Sequence, residues 1–179
     1  SLIRGEALEL LGETQDAKYA PMFVSALNDR SYSVIDQASL ALARTKAPAA
    51  YDAISKLTGM TSWKGRIQIA GLNALAELGD KRAFDAAYKL TTDKSVPVNI
   101  RTAAGAVVGS TGKGDPRAYP LIFDQFKKAF DSGNVGNLIN TIQAIIKIAD
   151  PRGQEAFDLL KTKYKDNAGK AVPDAMHTR

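Results

Sequence analysis

The chain has 179 residues, a formal net charge of +5 and a hydrophobic share of 45%. This composition supports a continuous core, and no run reaches the roughly eighteen apolar residues that a membrane helix needs, so a membrane partner is not expected. Because the sequence contains no cysteine, disulfide bonds and thiolate metal sites are excluded, and both a cytoplasmic and an exported location remain open.

The first residues, SLIRGEALELLG, already follow a helical pattern. They predict a helix near residues 2–11 and a second near 17–27, with Pro21 in the first turn of the second helix, where its missing N–H does least harm. Helical arrays usually carry an atypical polar cap at each end. The sequence begins without such a cap, so we expect it to be part of a longer protein.

The rest of the chain repeats this plan of paired helices. The repeats are predicted near residues 2–28, 31–58, 62–91, 96–131 and 135–164, followed by a polar tail at 165–179. Within the third repeat, Gly79 ends one helix and Asp80 caps the next. Trp63 opens that repeat and is expected to pack over the preceding one. In the fourth repeat, Gly105 and Gly109 are expected to let a neighbouring helix approach closely.

Three kinds of residue recur at a similar interval. The recurring residues are the hinges Asp16, Pro48, Asp80, Asp115 and Asp150, the small residues Ala7, Ala38, Ala70 and Ala104, and the aromatic residues Tyr19, Tyr51, Phe84 and Tyr119. The hinges step by 32, 32, 35 and 35 residues. Self-similarity at this period is typical of stacked helical arrays. The sequence therefore predicts an all-α fold, a right-handed α-α superhelix of about five helical pairs over residues 1–164.

The hinges themselves are predicted to be structural. Asp115 and Asp150 suit helix N-caps, and the prolines that follow them suit a first helical position, as Pro48 does in the second repeat. Arg101 and Asp115 are expected to contribute to a ladder of polar contacts along the hinges. The glycine-rich run at 109–115, GSTGKGD, fails as a phosphate-binding loop because Lys113 is followed by glycine, not Ser or Thr.

Two levels of family resemblance follow from these motifs. The Asp-Pro-Arg hinges, and the Ile100-Arg101 pair before an alanine-rich helix, resemble HEAT repeats of the HEAT/armadillo class. The order of motifs over residues 3–164 is similar to the HEAT-like C-terminal region of bacterial zinc aminopeptidases of the aminopeptidase N family. The motifs that carry this second resemblance are NDRSYSV at 28–34 with Ala38, Leu42 and Ala43, then Thr61-Ser62-Trp63 with Arg66, Ile69 and Ala70, then LGDKRA at 78–83.

The resemblance implies a non-catalytic accessory domain that packs on an upstream catalytic part and helps to enclose the substrate. The family's His-Glu-x-x-His zinc helix and its glycine-rich substrate motif do not occur in this sequence. The one histidine, His177, lies in the predicted tail and has no partner for a metal site. We therefore assign no catalytic residue, no metal ligand and no cofactor to this chain, although the parent protein is expected to be a zinc aminopeptidase.

Charge and surplus apolar residues point to two candidate surfaces. Residues 1–60 carry a net charge of −1 and the remainder +6. The second helices, which usually line the concave side of HEAT arrays, supply the candidate binding residues Lys56, Lys89, Gln125, Lys127, Lys128 and Lys161. The first repeat supplies candidate residues for docking to the upstream domain: Leu2, Ile3, Tyr19, Met22 and Phe23.

These surfaces leave alternatives to the accessory domain. A freestanding HEAT scaffold would bind a protein or peptide on its concave face, which would attract acidic partners. A nucleic-acid-binding protein is the more distant alternative, since Trp63 stands beside Lys64 and Arg66 but no aromatic residues interleave with the lysines. A solvated, lysine-rich surface without a specific partner would also explain the charge.

Overall fold

The computed structural model describes residues 2–165, and all of its regular structure in that range is helical, which confirms the predicted all-α class. Its ten α-helices are α1 (Leu2–Glu13), α2 (Ala20–Ala26), α3 (Tyr32–Arg44), α4 (Ala50–Leu57), α5 (Arg66–Leu78), α6 (Phe84–Thr92), α7 (Val98–Thr111), α8 (Ala118–Ser132), α9 (Val135–Ile148) and α10 (Gln154–Lys165). One-turn 3₁₀ helices precede α2, α5, α6 and α10. His177 and the predicted tail beyond Lys165 lie outside the described residues.

Carboxylates begin the second helix of most pairs. Asp16, Asp80 and Asp150 each cap a 3₁₀ turn by accepting a hydrogen bond from the backbone N–H two residues later. Asp115 accepts from the N–H of Arg117 at 2.9 Å in the same way. These bonds satisfy donors that a helix start would otherwise leave unpaired. The predicted capping roles of Asp115 and Asp150 are confirmed.

The hinge at Pro48 differs from the others because it has no carboxylate. The helix α4 begins at Ala50, two residues beyond Pro48, so the prediction that this proline occupies the first helical position is wrong. The Thr45 hydroxyl accepts a hydrogen bond from the N–H of Ala47 at 3.2 Å. Lys46 adopts a left-handed conformation with φ of 52°. A local turn therefore precedes the second helix of this pair, where a capping aspartate precedes it in the other pairs.

The odd-numbered helices form a continuous series of contacts, in which α1 packs on α3, α3 on α5, α5 on α7 and α7 on α9. Each even-numbered helix from α2 to α8 packs against the odd helix that follows it. The core lies between these two sets of helices. Its largest fully buried side chains include Phe23, Leu42, Ile54, Leu72 and Phe126.

Two glycines bring neighbouring odd helices unusually close. A Cβ atom at Gly12 of α1 would lie 2.7 Å from the Cβ of Ala41 in α3, and a Cβ at Gly109 of α7 would lie 2.5 Å from that of Ala144 in α9. At Gly105, the added atom would lie 3.1 Å from the Gln125 side chain of α8. The prediction that Gly105 and Gly109 allow close packing is therefore confirmed.

Candidate interaction surfaces

Arginines join the hinge of one pair of helices to the pair before it. Arg82 makes an ion pair with its own cap Asp80 at 2.7 Å and approaches Asp52 of the preceding pair at 3.7 Å. Its guanidinium lies 4.0 Å from the centre of the Tyr51 ring. The same arrangement recurs further along the chain: Arg117 pairs with Asp115 and Asp85 and lies over Phe84, and Arg152 pairs with Asp150 and lies over Tyr119.

Arg101 does not belong to this ladder, contrary to prediction. Its Nε atom is buried and has no hydrogen-bond partner, and Asp115 pairs with Arg117 instead. The physical reason is closeness in sequence, because a capping aspartate and the arginine two residues after it lie within one turn and can pair there. The side-chain hydrogen bonds from Arg152, helped by its backbone N–H, lower the pKa of Asp150 to about 2. The ladder is thus a set of satisfied structural contacts, not a group poised for acid–base chemistry.

Five of the six predicted binding residues on the second helices are exposed. Lys56 lies on α4, Lys89 on α6, and Lys127 and Lys128 on α8, with Lys161 on α10. Part of their charge is balanced locally, because Lys128 pairs with Asp124 at 2.6 Å and Lys161 approaches Asp158 at 3.7 Å.

Gln125 departs from the prediction. It is half-buried, and its amide lies against Gly105 of α7, so it fills space between two helices instead of facing solvent. Glycine at position 105 leaves room for that amide, which explains why the side chain turns inward.

The first helix presents an exposed apolar face. Leu2, Ile3 and Leu10 are 72%, 81% and 71% exposed, and Met22 of α2 is 44% exposed. Ala7 is exposed too, whereas the equivalent small residues Ala38, Ala70 and Ala104 are buried. The outer side of α1 therefore has no covering helix among the described residues.

Phe23 corrects the predicted docking set, and Tyr19 is only partly available. Phe23 is completely buried in the core, because the short helix α2 turns this side of its surface towards α3. Tyr19 is half-buried, with the Lys18 ammonium 4.8 Å from its ring centre. The exposed part of the predicted docking set is therefore Leu2, Ile3 and Met22.

Trp63 is exposed, although the sequence favoured packing over the preceding repeat. Its side chain is 62% exposed, and the Lys64 ammonium lies 4.5 Å from the ring. Lys64 and Gly65 both adopt positive φ, 53° and 68°, which turns the chain sharply before α5 begins. The Asn99 amide holds this turn by donating to the Lys64 carbonyl at 3.0 Å. The turn directs Trp63 outward.

The ninth helix carries an apolar face that sequence reasoning missed. Val135, Ile139 and Ile146 are 58%, 44% and 58% exposed, and Ile142 between them is half-buried. The signal was present in the sequence, because the apolar residues of α9 cover more of its circumference than one neighbouring helix can bury. A helix of that kind is normally covered on both sides.

No enclosed catalytic or metal site is evident within residues 2–165. That range holds no group of three His, Cys, Asp or Glu side chains arranged to bind a metal, and none of its helices has the length and apolarity to span a bilayer. Two open surface depressions, of about 480 and 400 Å³, adjoin the Asp150 hinge. Their walls come from α10 and from the α7–α8 and α9–α10 connections, with Arg152 common to both.

Comparison with other proteins does not assign the chain to a family. Neither the known protein-family models nor the curated protein sequences include a match to it. The surfaces that offer a function are the outer face of α1, the lysines of the second helices, Trp63 and the outer face of α9.

Proposed function

We propose that this chain is a non-catalytic accessory domain that packs through α1 on an upstream part of a larger protein. The observation that carries the proposal is the exposure of Leu2, Ile3 and Leu10 on one side of a single helix. They surround the exposed Glu6 on that side, and exposed apolar residues rimmed by polar ones commonly mark an interaction site. The resemblance to the C-terminal region of zinc aminopeptidases makes a catalytic zinc domain the expected partner, which this domain would help to close around its substrate.

A right-handed superhelix of five helical pairs is the architecture proposed for this domain. Its support is the series of odd-to-odd helix contacts from α1 to α9, together with the recurrence of hinge, small residue and aromatic residue along the chain. In such an array each inner repeat is covered on both sides, and the ends are covered by caps or by other domains.

The register of the repeats supports α1 as the docking helix. In α3, the side turned towards α1 includes Gln37, next to Gly5, and Ala41, next to Gly12. Ala7 and Ala38 are 31 residues apart, so the positions in α1 equivalent to Gln37 and Ala41 are found 31 residues earlier. They are Glu6 and Leu10. Leu10 thus corresponds to a position in a helix–helix interface inside the array, and Glu6 occupies the other position.

The two alternatives receive less support from the contacts. A concave-face scaffold would use the second-helix lysines, but Lys128 and Lys161 already have carboxylate partners and Gln125 faces inward. Nucleic-acid binding is favoured by the exposure of Trp63 alone. Because Trp63 is the only tryptophan, its fluorescence reports on this alternative directly. Quenching by single-stranded DNA that weakens as salt rises would favour nucleic-acid binding over the accessory role.

The test of the proposed function begins with the gene. We expect the reading frame upstream of Ser1 to encode a His-Glu-x-x-His helix and a further glutamate. In that longer protein, Ile3→Glu should lower the thermal stability and the hydrolysis of aminoacyl anilides, because it places a charge in an apolar interface. The 179-residue chain by itself should bind no stoichiometric zinc and hydrolyse no anilide.

Val98→Glu provides the matched control, since Val98 is 67% exposed at the start of α7, away from α1. It should leave the stability and activity of the longer protein unchanged. Absence of the zinc motif upstream, or equal effects of the two substitutions, would refute the proposed role.

A further inference from the structure

The outer face of α9 forms a second apolar surface, independent of α1. We call Val135, Ile139, Ile142 and Ile146 the α9 stripe. Three of these side chains are 44% to 58% exposed, whereas Ile142 is half-buried against the core and Ile145, on the adjoining side of the helix, is buried. The stripe therefore extends the apolar side of α9 from the edge of the core outward to solvent.

The spacing of the stripe is that of a helix–helix interface in this fold. Gly5, Leu8 and Gly12, the buried residues of α1, follow one another by three and four positions on a helix that packs against α3. Ile139, Ile142 and Ile146 show the same three-and-four spacing. A helix is consequently the shape of occupant that fits the stripe.

The chemistry around the stripe suits contact with an identical surface. The exposed neighbours Gly136, Asn140 and Gln143 are uncharged, and Lys147 is the one charged residue of α9. A face so poor in charge can meet a copy of itself without like-charge repulsion. The stripe is also symmetric on reversal, since its residues are spaced by four, three and four positions. Two antiparallel copies therefore bring apolar residues together at every position.

We propose that two copies of this chain associate through α9, antiparallel, across a two-fold axis. Val135 then lies opposite Ile146 of the partner subunit, and Ile139 lies opposite Ile142 of the partner subunit. The same arrangement places Lys147 opposite Asn134 of the partner subunit, three residues from the partner's Asp131, an exposed carboxylate of opposite charge. Such an interface uses the same patch on both subunits and closes at two. It leaves α1 free for the role proposed above and does not depend on that role.

The first test measures association of the full 179-residue chain by sedimentation equilibrium. We expect a reversible dimer, and Ile139→Glu should raise its dissociation constant by about tenfold or more, because the charge falls at the centre of the interface. Ile146→Glu provides a second variant at a more exposed position. Val98→Glu, equally apolar and exposed in the parent, should leave the dissociation constant unchanged. Circular dichroism establishes that each variant is folded.

The second test fixes the geometry. Because the chain has no cysteine, Gln143→Cys allows one spin label per subunit beside the stripe and near the middle of α9. Packed helices lie about 8–10 Å apart, so the two labels should be separated by less than about 20 Å in pulsed electron resonance.

Three results would overturn the proposal. The first is a monomer at all concentrations, which includes the case where residues 166–179 cover the stripe. The second is a dimer that Ile139→Glu does not weaken. The third is a dimer in which the two labels are far apart and which Ile3→Glu disrupts. The last result would indicate association through α1. None of the three bears on the zinc motif expected upstream of Ser1.

Discussion

At the scale of single residues, the hinge arginine Arg152 makes three kinds of contact. Its guanidinium pairs with the cap Asp150 at 2.8 Å and lies over the ring of Tyr119. Its backbone carbonyl accepts a hydrogen bond from the Tyr119 hydroxyl at 2.7 Å. Exposed ion pairs alone contribute little to stability. Here the pair is combined with a cap and a ring contact between successive helical pairs, so the hinge also fixes their relative position.

The first prediction concerns the pH dependence of the Asp150 cap. Its pKa is lowered from 3.8 to about 2 by hydrogen bonds from Arg152, so the folded state favours the ionised form. The resulting stabilisation is present above about pH 3.8 and is lost as the pH falls through about 2. Asparagine also caps well but carries no charge. We therefore expect Asp150→Asn to be less stable than the parent at pH 5, and the difference to shrink as the pH approaches 2.

Urea unfolding between pH 5 and pH 2 measures this difference. The other capping aspartates titrate in both proteins and cancel. Asp158→Asn, on the exposed side of α10, is the control for the loss of one carboxylate that caps no helix. A gap between parent and Asp150→Asn that stayed constant over this range would contradict the assigned cause of the pKa shift.

At the scale of elements, the odd-numbered helices are held by small residues and by contacts across helix ends. Ala38 and Ala104 are fully buried, and Gly109 allows α7 and α9 to approach closely. The Lys46 ammonium donates to the carbonyls of Glu77 and Leu78 at 2.7 and 2.8 Å, at the end of α5. A cation there complements the helix dipole. The contacts between neighbouring elements are therefore both steric and electrostatic.

The second prediction tests the close approach of α7 and α9. Gly109→Ala should lower the free energy of unfolding by about 1–3 kcal/mol, because the new methyl would overlap Ala144. Gly136→Ala is the matched control: it lies on α9, and its nearest neighbour, the Asn134 side-chain oxygen, is 3.7 Å away. It should be neutral or stabilise by up to about 1 kcal/mol through helix propensity. Chemical denaturation compares the two, and a stabilising Gly109→Ala would show that the helices are not in contact.

At the scale of the whole molecule, apolar surface remains at both ends of the series of odd helices. Leu2, Ile3 and Leu10 are exposed on α1, and Val135 and Ile146 are exposed on α9. The helices between them are covered on two sides by their neighbours. The molecule is thus suited to contacts at its ends, one proposed for an upstream domain and the other for a second copy.

The third prediction separates exposed from buried apolar residues in the first helical pair. Phe23→Ala should cost about 3–5 kcal/mol, because it removes a fully buried ring. Ile3→Ser should change the stability by less than about 0.5 kcal/mol, because Ile3 is 81% exposed. Both values come from urea titrations at low protein concentration. If Ile3→Ser proved as costly as Phe23→Ala, the face of α1 would be covered within the chain and the docking proposal would lose its support.

The sequence by itself determined the features that depend on near neighbours. Helical periodicity and the caps at Asp115 and Asp150 follow from residue types a few positions apart. Only the tertiary structure decided which apolar faces are covered. Phe23 is buried and Ile3 exposed, Trp63 turns outward and Ile139 stays uncovered, although all four are large and apolar. Periodicity shows which residues share a side of a helix, whereas burial depends on which other helix lies against that side.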